Sequence, residues 1–175
     1  IKVIAGYSDL VVMRTKIEGA SRLASEIANK PIINGGDGTN QHPTQTLLDL
    51  YTIKKEKGKL EGLSIGFFGD LKYGRTVHSL VEAITLYKPK VIKFIAATQF
   101  QIGKDYLDML DSKEIKYEVL EDAKGNLKDL DILYVTRTQL ERIVEPIDLE
   151  PLKKKYTITR TILENEGNSN LLVMH

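Results

Sequence analysis

Cysteine and tryptophan are absent from the 175 residues, and histidine occurs only three times. Without cysteine the chain can form no disulfide, no thiolate nucleophile and no sulfur ligand for a metal ion. The three histidines, at positions 42, 78 and 175, lack the short spacing that is typical of a zinc site. The composition therefore excludes thiol chemistry, predicts no metal site, and suits a cytoplasmic protein.

Long apolar runs and an excess of one charge are also missing. No stretch approaches the roughly 18 apolar residues that a membrane-spanning helix needs. The chain has 25 basic and 24 acidic residues, which gives a formal net charge of +1. Such a balance provides no broad positive field for nucleic acid. We therefore expect neither a membrane nor a nucleic acid as partner, and any anion must be bound by locally placed Arg and Lys side chains.

Short apolar runs alternate along the chain with segments of helical periodicity. Most of the runs are continuously apolar, which is typical of strands that are buried on both faces of a parallel sheet. The order strand, helix, strand predicts an α/β fold with a doubly wound, mainly parallel sheet and helices on both faces. The predicted strands are residues 10–13, 31–34, 63–69, 91–97, 115–120, 131–136 and 171–174.

Two of the predicted helices have readable ends. Pro43 occupies the position of a first helical residue, and the helix that it begins should stop at Gly58, after a turn rich in lysine. Thr15 and Glu18 have the spacing of a capping box and predict a helix over residues 19–28.

An arginine follows each of three predicted strands. Arg14, Arg75 and Arg137 all come shortly after a strand, and ligands of open α/β sheets lie beyond the carboxyl ends of the strands. We therefore expect three strands to present their arginines at the same edge of the sheet. These cations, with Lys72 and His42 nearby in sequence, would repel one another unless a negative group lay between them. Because the guanidinium fork is suited to carboxylates and phosphates, we infer a small, multiply charged anionic ligand or pair of ligands.

No usual nucleophile arrangement is visible. The chain has no Gly-x-Ser-x-Gly elbow, and Asp49 and Asp70 do not form an obvious acid pair. We interpret Asp49 as a helix-surface or interdomain contact and Asp70 as a strand-end cap, while His78 should be structural and His175 a strand end. The remaining chemistry is electrostatic, with charged donors that hold substrates and stabilise a developing oxyanion.

The sequence matches two nucleotide-binding motifs only in part. Residues 69–76 differ by one substitution from a P-loop, because Arg75 stands where the motif has lysine, and residues 71–73 are too bulky for a loop that bends around phosphates. Gly66, Gly69 and Gly74 also lack the Gly-x-Gly-x-x-Gly spacing of a dinucleotide site. A nucleotide triphosphatase would require magnesium-dependent nucleotide binding.

Several segments, in order along the whole chain, resemble the carbamoyltransferase family. Residues 42–50 (HPTQTLLDL) are similar to its His-Pro-x-Gln signature. Residues 69–80 (GDLKYGRTVHSL) and 134–142 (YVTRTQLER) look like the aspartate-specific members. Residues 13–14 with 18–20, and 36–38 with 40–43, extend the resemblance. It implies transfer of the carbamoyl group of carbamoyl phosphate to the amine of L-aspartate, which gives N-carbamoyl-L-aspartate and phosphate in pyrimidine biosynthesis.

The resemblance assigns roles around carbamoyl phosphate. Arg14 would contact the phosphate and the carbonyl oxygen, His42 would donate to that carbonyl, and Gln45 would hold the carbamoyl amino group. Arg14 and His42 would thus be catalytic residues that stabilise the tetrahedral oxyanion. No cofactor is implied. The family also implies a homotrimer with shared active sites, and leaves open whether regulatory subunits join.

A second set of residues is implied for aspartate. Arg75 and Arg137 would bind the two carboxylates of aspartate, with Gln139 beside them. The residues that would shape and close the aspartate loops are Lys72, Tyr73, Glu141 and Arg142.

Elements of the family are absent from these 175 residues. They are a Ser-Thr-Arg-Thr-Arg phosphate loop, a loop with Ser and Lys that a neighbouring subunit lends, and a Pro-Leu-Pro after the last histidine. We therefore expect a fragment: residues 1–43 would end the carbamoyl-phosphate-binding domain, residues 44–175 would form the aspartate-binding domain, and the boundary would fall within the helix 43–57. Alone, this fragment should be inactive.

Two alternative functions are compatible with the same motifs. Ornithine carbamoyltransferase shares the His-Pro-x-Gln signature, but ornithine carries an amino group where aspartate has its second carboxylate. A site with Arg75, Arg137 and Lys72 favours the dianion. The other alternative is a non-catalytic homologue that binds the anions and does not turn them over.

Overall fold

The computed structural model describes residues 1–137 and 156–175. In that part of the chain, every pair of adjacent strands is parallel, and the strands form two sheets. The smaller sheet contains β1 (Val11–Thr15) and β2 (Ile32–Asp37). The larger has the order β5-β4-β3-β6-β7, and its strands are β3 (Ser64–Phe68), β4 (Val91–Ile95), β5 (Tyr117–Leu120), β6 (Ile132–Val135) and β7 (Leu172–Met174). The predicted fold class is confirmed.

Helices connect most of these strands. They are α1 (Lys2–Gly6), α2 (Ala20–Ile27), α3 (Pro43–Lys57), α4 (Arg75–Ile84), α5 (Lys104–Ser112) and α6 (Arg160–Glu166). The predicted ends of α3 are confirmed, because Pro43 is its first residue and Gly58 follows its last with a φ of 72°. Over the described ranges 1–137 and 156–175, no helix combines the length and the apolar character that crossing a membrane requires.

The predicted capping box of α2 is wrong. Gly19 precedes the helix and no side chain caps it. Glu18 instead accepts a hydrogen bond from the backbone N–H of Thr39 at 3.0 Å, and the Thr15 hydroxyl accepts from the Ile17 amide at 3.1 Å, before the helix begins. The Gly19 amide donates to Asp37 at 2.9 Å. Both partners, Thr39 and Asp37, are about twenty residues away, so tertiary contacts override the local motif.

The larger sheet has a core on each of its faces. On one face, Ile65 and Phe67 pack with apolar residues of α3, α4 and α5. On the other face, Phe68 and Leu133 pack with the segment 123–130 and with α6. Burying one such side chain contributes roughly 1.5–3 kcal/mol. Burial on both faces explains why these strands are continuously apolar in sequence.

The strand order contains a switch point between β3 and β6. The chain winds from β3 through β4 to β5 in one direction, and β6 and β7 lie on the other side of β3. A crevice therefore opens beyond the carboxyl ends of β3 and β6. The Thr136 hydroxyl joins these ends, because it donates to the carbonyls of Phe68 and Asp70, both at 3.2 Å.

Helix α3 connects the two sheets. It packs against β2 of the smaller sheet and against α4, which covers the larger one. Its first turn lies beside the crevice, while Lys57 in its last turn donates to the Asn170 carbonyl in the loop before β7. Helix α3 therefore has contacts with both halves of the described structure, and its first turn lies beside the crevice.

Candidate active site

A cavity of about 300 Å³ lies at the switch point of the larger sheet. It brings together the three arginines that sequence analysis singled out, with His42 and Gln45. Its described lining contains no carboxylate side chain. The lining residues are Arg14, His42, Gln45, Gly74, Arg75, Thr76, Tyr134, Val135, Thr136, Arg137 and His175.

The three arginines reach this cavity from two sheets. Arg14 lies within β1 of the smaller sheet, whereas Arg75 begins α4 after β3 and Arg137 follows β6. The expectation that three strands present their arginines at one sheet edge is therefore wrong, since β1 pairs only with β2 among the described strands. The carboxyl ends of both sheets nevertheless face the same cavity. The resulting cluster of guanidinium groups is suited to an anion with several negative charges.

The position of Arg75 depends on a loop of glycines. Its Nη1 atom donates to the Gly38 carbonyl at 3.1 Å. Gly36 has a φ of +116°, and a Cβ atom there would lie only 3.1 Å from the guanidinium carbon of Arg75. Because side chains rarely adopt that φ and little space is left, glycine permits the loop to approach Arg75 closely.

Asp37 holds the same loop in place. Its side chain is 2% exposed, and it accepts hydrogen bonds from the amides of Gly19 (2.9 Å) and Gln41 (3.1 Å) and the side chains of Asn34 (3.1 Å) and Asn40 (3.0 Å). Burial acts to raise the pKa of Asp37, but these hydrogen bonds outweigh it and the pKa is lowered. The carboxylate is thus ionised and fixes the segment that leads into His42.

His42 is placed to donate a hydrogen bond into the cavity. Its Nδ1 atom caps α3 by accepting from the Gln45 amide at 3.4 Å, and its own amide donates to Ser79 at 2.8 Å. A neutral ring that accepts at Nδ1 carries its proton on Nε2. Burial, then the charges of Arg75 and Arg14, lower the pKa of His42. At neutral pH the imidazole is therefore uncharged and offers a single N–H.

Gln45 is joined to Tyr134 through the carboxylate of Asp49. Gln45 Nε2 donates to one oxygen of Asp49 at 3.0 Å, and the Tyr134 hydroxyl donates to the other at 3.1 Å. Asp49 is 3% exposed, so its predicted place on the helix surface is wrong; it lies where α3 meets β6. Burial raises the pKa of Asp49, against these two hydrogen bonds, and burial raises the pKa of Tyr134 to about 12.

The loop after β3 lies beside the cavity. Asp70 is buried and accepts from the Tyr73 amide at 3.0 Å, which confirms its prediction as a strand-end cap. Lys72 is exposed, with its ammonium group 5.2 Å from the centre of the Tyr73 ring, and neither residue is among those that line the cavity. The predicted site residues Gln139, Glu141 and Arg142 lie outside the described residues.

The two remaining histidines differ. His78 is buried, its ring nitrogens lie 3.1 Å and 3.0 Å from the carbonyls of Thr39 and Leu71, and its ring stacks on Tyr106. The structural interpretation of His78 is confirmed. His175 lines the cavity, which sequence analysis missed. Its position directly after a strand was the available signal, because ligand-binding residues follow strands in this class of fold.

The arrangement is suited to binding anions and polarising a carbonyl group. Arg14, Arg75 and Arg137 line a cavity of about 300 Å³, together with the neutral imidazole of His42 and with His175. Within residues 1–137 and 156–175, no three carboxylate or imidazole side chains are grouped as a metal site would require. The described side chains can therefore stabilise an oxyanion by preorganised donors.

Two family models match the chain. Residues 1–55 match the carbamoyl-P binding domain of aspartate/ornithine carbamoyltransferase, and residues 61–175 match the Asp/Orn binding domain of the same family.

Curated relatives match the chain from end to end. The aspartate carbamoyltransferase catalytic subunit of Methanococcus vannielii is 49% identical over 175 residues, and that of Thermococcus kodakarensis is 47% identical over 175 residues. In both cases all of the chain is covered, and the chain spans 56% of the relative's length.

Solved structures resemble the fold of this chain closely. The catalytic subunit of M. jannaschii aspartate transcarbamoylase has a TM-score of 0.87 and 47% identity, over 99% of this chain and 56% of that one. Aspartate transcarbamoylase from Trypanosoma cruzi, solved with carbamoyl phosphate and aspartate, has a TM-score of 0.86 and 32% identity, over 99% of this chain and 55% of that one.

Proposed function

The chain belongs to the aspartate/ornithine carbamoyltransferase family, and from that membership we propose that its protein transfers the carbamoyl group of carbamoyl phosphate to the amine of L-aspartate. The products are N-carbamoyl-L-aspartate and phosphate. The observation that carries the proposal is the cavity in which Arg14, Arg75 and Arg137 meet His42 and Gln45. Two anionic substrates that must react with each other need such a cluster of cations to hold them together.

The proposed mechanism uses the cations and the neutral imidazole in turn. The aspartate amine attacks the carbamoyl carbon, and the new C–N bond forms as charge builds on the carbonyl oxygen. Arg14 and the Nε2–H of His42 stabilise that oxyanion, which is the role of preorganised donors. The C–O bond to phosphate then breaks, and the leaving phosphate takes a proton from the attacking nitrogen. Gln45 holds the carbamoyl amino group throughout.

Aspartate is favoured over ornithine for two reasons. The two curated relatives described above are named aspartate carbamoyltransferases, and they are 49% and 47% identical to this chain over all 175 residues. In addition, Arg75 and Arg137 both line the cavity, whose described lining contains no carboxylate to pair with an ornithine ammonium group. We assign the carboxylates of aspartate to these two arginines. We also assign Gln139 to aspartate binding. The shaping and closing of the aspartate loops is assigned to Lys72, Tyr73, Glu141 and Arg142.

The wider setting of the reaction is also proposed. We propose that the reaction is a step of pyrimidine biosynthesis and takes place in the cytoplasm. The protein would act as a homotrimer with shared active sites. The relatives are named catalytic subunits, and we keep regulatory subunits as possible partners of this protein. We place the boundary between the two family units within α3, whose first turn contributes His42's neighbour Gln45 to the cavity.

The test is a carbamoyl-transfer assay on the protein as its gene encodes it, with carbamoyl phosphate and either aspartate or ornithine. We expect product from aspartate only. Arg14→Ala or His42→Ala should lower kcat by roughly 10²–10³, the scale for the loss of one oxyanion donor. Product from ornithine would overturn the substrate assignment, and tight binding of both ligands without turnover would identify a non-catalytic homologue.

A further inference from the structure

Asp49 is a buried carboxylate that touches two residues of the cavity without lining it. Its Oδ1 atom accepts from Gln45 and its Oδ2 atom accepts from Tyr134, while the side chain is 3% exposed. Gln45 and Tyr134 both line the cavity. Asp49 can therefore influence a bound ligand only by what it does to these neighbours.

The contact with Asp49 decides which end of the Gln45 amide meets a ligand. A glutamine side chain has a donating nitrogen and an accepting oxygen. A carboxylate can only accept, so it selects the nitrogen of Gln45, and in the structure Nε2 donates to Asp49 at 3.0 Å. The oxygen, Oε1, is then the amide atom that is left for the ligand. An acceptor at this place matches a ligand that carries an N–H group.

We propose that Asp49 is a positioning residue which holds the Gln45 amide in one orientation and so makes the site selective for an acyl phosphate that bears an amino group. The inference rests on the proposed function and deepens it. Carbamoyl phosphate presents N–H donors to Oε1, whereas acetyl phosphate has a methyl group at the same place. A site that is built to pair with a donor discriminates against an analogue that lacks it.

The contact is built to keep this orientation. Gln45 and Asp49 are four residues apart on α3, so their side chains lie on one face of the helix. Tyr134 fixes the carboxylate from the opposite side, and it comes from β6 in the larger sheet. With both oxygens of Asp49 engaged, the Gln45 amide cannot turn without leaving a buried acceptor unsatisfied.

The test compares Asp49→Leu/Tyr134→Phe with Tyr134→Phe alone. The single variant keeps the Gln45 contact, and the double variant removes both polar groups of the α3–β6 contact so that no buried hydroxyl is stranded. We measure the KM for carbamoyl phosphate and the inhibition constant of acetyl phosphate as a competitor. Relative to the single variant, the double variant should raise the KM for carbamoyl phosphate about tenfold, which is the effect of losing one hydrogen bond of ~1.4 kcal/mol. The inhibition constant of acetyl phosphate should change less than about twofold.

Controls separate positioning from general damage. Glu56→Leu makes the same chemical change at an exposed place on α3 and should leave both constants unchanged. Asp49→Asn should keep most of the preference for carbamoyl phosphate over acetyl phosphate that the double variant loses. An asparagine oxygen can still accept from Gln45 while its nitrogen faces the Tyr134 hydroxyl. If both constants rise together in the double variant, or if neither changes, the positioning role is overturned.

A second measurement is made on the unaltered protein and needs a variant only to assign the signals. The side-chain amide protons of Gln45, assigned by their loss in Gln45→Leu, should exchange with solvent much more slowly than those of the exposed Gln99, because one is bonded to a buried carboxylate. Equal exchange rates would overturn the inference. If the unaltered protein transfers no carbamoyl group, the proposed function fails, whereas slow exchange at Gln45 would still identify the held amide.

Discussion

In the five-stranded sheet Ile65 and Phe67 are fully buried, whereas in the two-stranded sheet Val12 and Ile33 keep 64% and 39% of their surface exposed. Both sheets end at the same cavity, yet only the larger has an apolar core on each face. In residues 1–42 the best-buried contacts near the cavity are polar and converge on Asp37.

Over these 175 residues, which span 56% of the length of the curated relatives named above, the difference separates two ways of positioning the residues of the cavity. Around β3 and β6, dense apolar packing positions the backbone from which Arg75 and Arg137 extend. Around β2, the loop that leads to His42 is positioned by hydrogen bonds to one ionised carboxylate. Packing depends on apolar volume and hardly on pH, whereas a carboxylate that accepts several hydrogen bonds loses its effect when it is protonated.

The largest expected effect comes from equal truncations in the two sheets. Ile92→Ala in β4 removes a side chain that is 0% exposed and should lower the free energy of unfolding by about 2–5 kcal/mol. Ile33→Ala in β2, which is 39% exposed, should lower it by only about 0.5 kcal/mol. Urea unfolding of both variants measures the contrast, and equal losses would remove the distinction drawn between the sheets.

Removal of the Asp37 carboxylate should have the next largest effect. Asp37→Asn leaves buried donors without an acceptor, so we expect a loss of about 1–3 kcal/mol in the free energy of unfolding at pH 7. The folded pKa of Asp37 is lowered, so the stability it contributes is present above the unfolded pKa and is lost as pH falls through the folded value.

The pH dependence provides the check on Asp37. The difference in unfolding free energy between Asp37→Asn and the unaltered protein should narrow below about pH 4, near the ordinary pKa of the group. Asp9→Asn changes an exposed carboxylate in the same region and serves as a control. A difference that stays constant down to acidic pH would mean that the carboxylate's charge is not what holds the loop.

A smaller and more local effect is expected at Gly36, where the two regions meet. Gly36→Ala would press a Cβ atom against the Arg75 guanidinium, and we expect the KM for aspartate to rise about tenfold, equivalent to ~1.4 kcal/mol. Gly58→Ala also imposes a side chain at positive φ, but nothing lies within 4 Å of it. It should lower stability without changing that KM. Equal kinetics in the two variants would contradict the close approach to Arg75.

The smallest expected effect is on the protonation of His42. After burial, the charge of Arg75 is the main cause that lowers the pKa of His42. Arg75→Gln should therefore raise this pKa, measured by NMR titration of the imidazole. Arg22→Gln removes an exposed cation of α2 that pairs with Glu26, and it should leave the titration of His42 unchanged. A lower pKa in Arg75→Gln would reverse the sign of the proposed electrostatics.

The sequence predicted the strands and α3 well because both depend on local signals. Continuous apolar runs located every described strand to within a few residues, and Pro43 and Gly58 marked the two ends of α3. The three arginines were found because Arg75 and Arg137 follow strands and Arg14 lies near the carboxyl end of β1. Their separation between two sheets was missed, since strand order is set by packing across the whole chain and not by any one segment.

Other failures have the same origin. Thr15 and Glu18 have the spacing of a cap, but Glu18 bonds to Thr39, a partner that sequence spacing does not reveal. Asp49 was interpreted as a helix-surface or interdomain contact because nothing in the sequence of the helix indicates that its carboxylate meets Tyr134 from a distant strand. The roles of Gln139, Glu141 and Arg142 stay predictions.

Helix α3 also has a mechanical consequence. With 15 residues at about 1.5 Å each, it is a stiff rod of roughly 22 Å. One end carries Gln45, and the other is tethered near β7 through Lys57. A tilt of about 5° around the tethered end would move the far end by about 2 Å, by simple leverage over that length. Such a displacement is enough to make or break a hydrogen bond, so even a small tilt of α3 would change the contacts that Gln45 makes in the cavity.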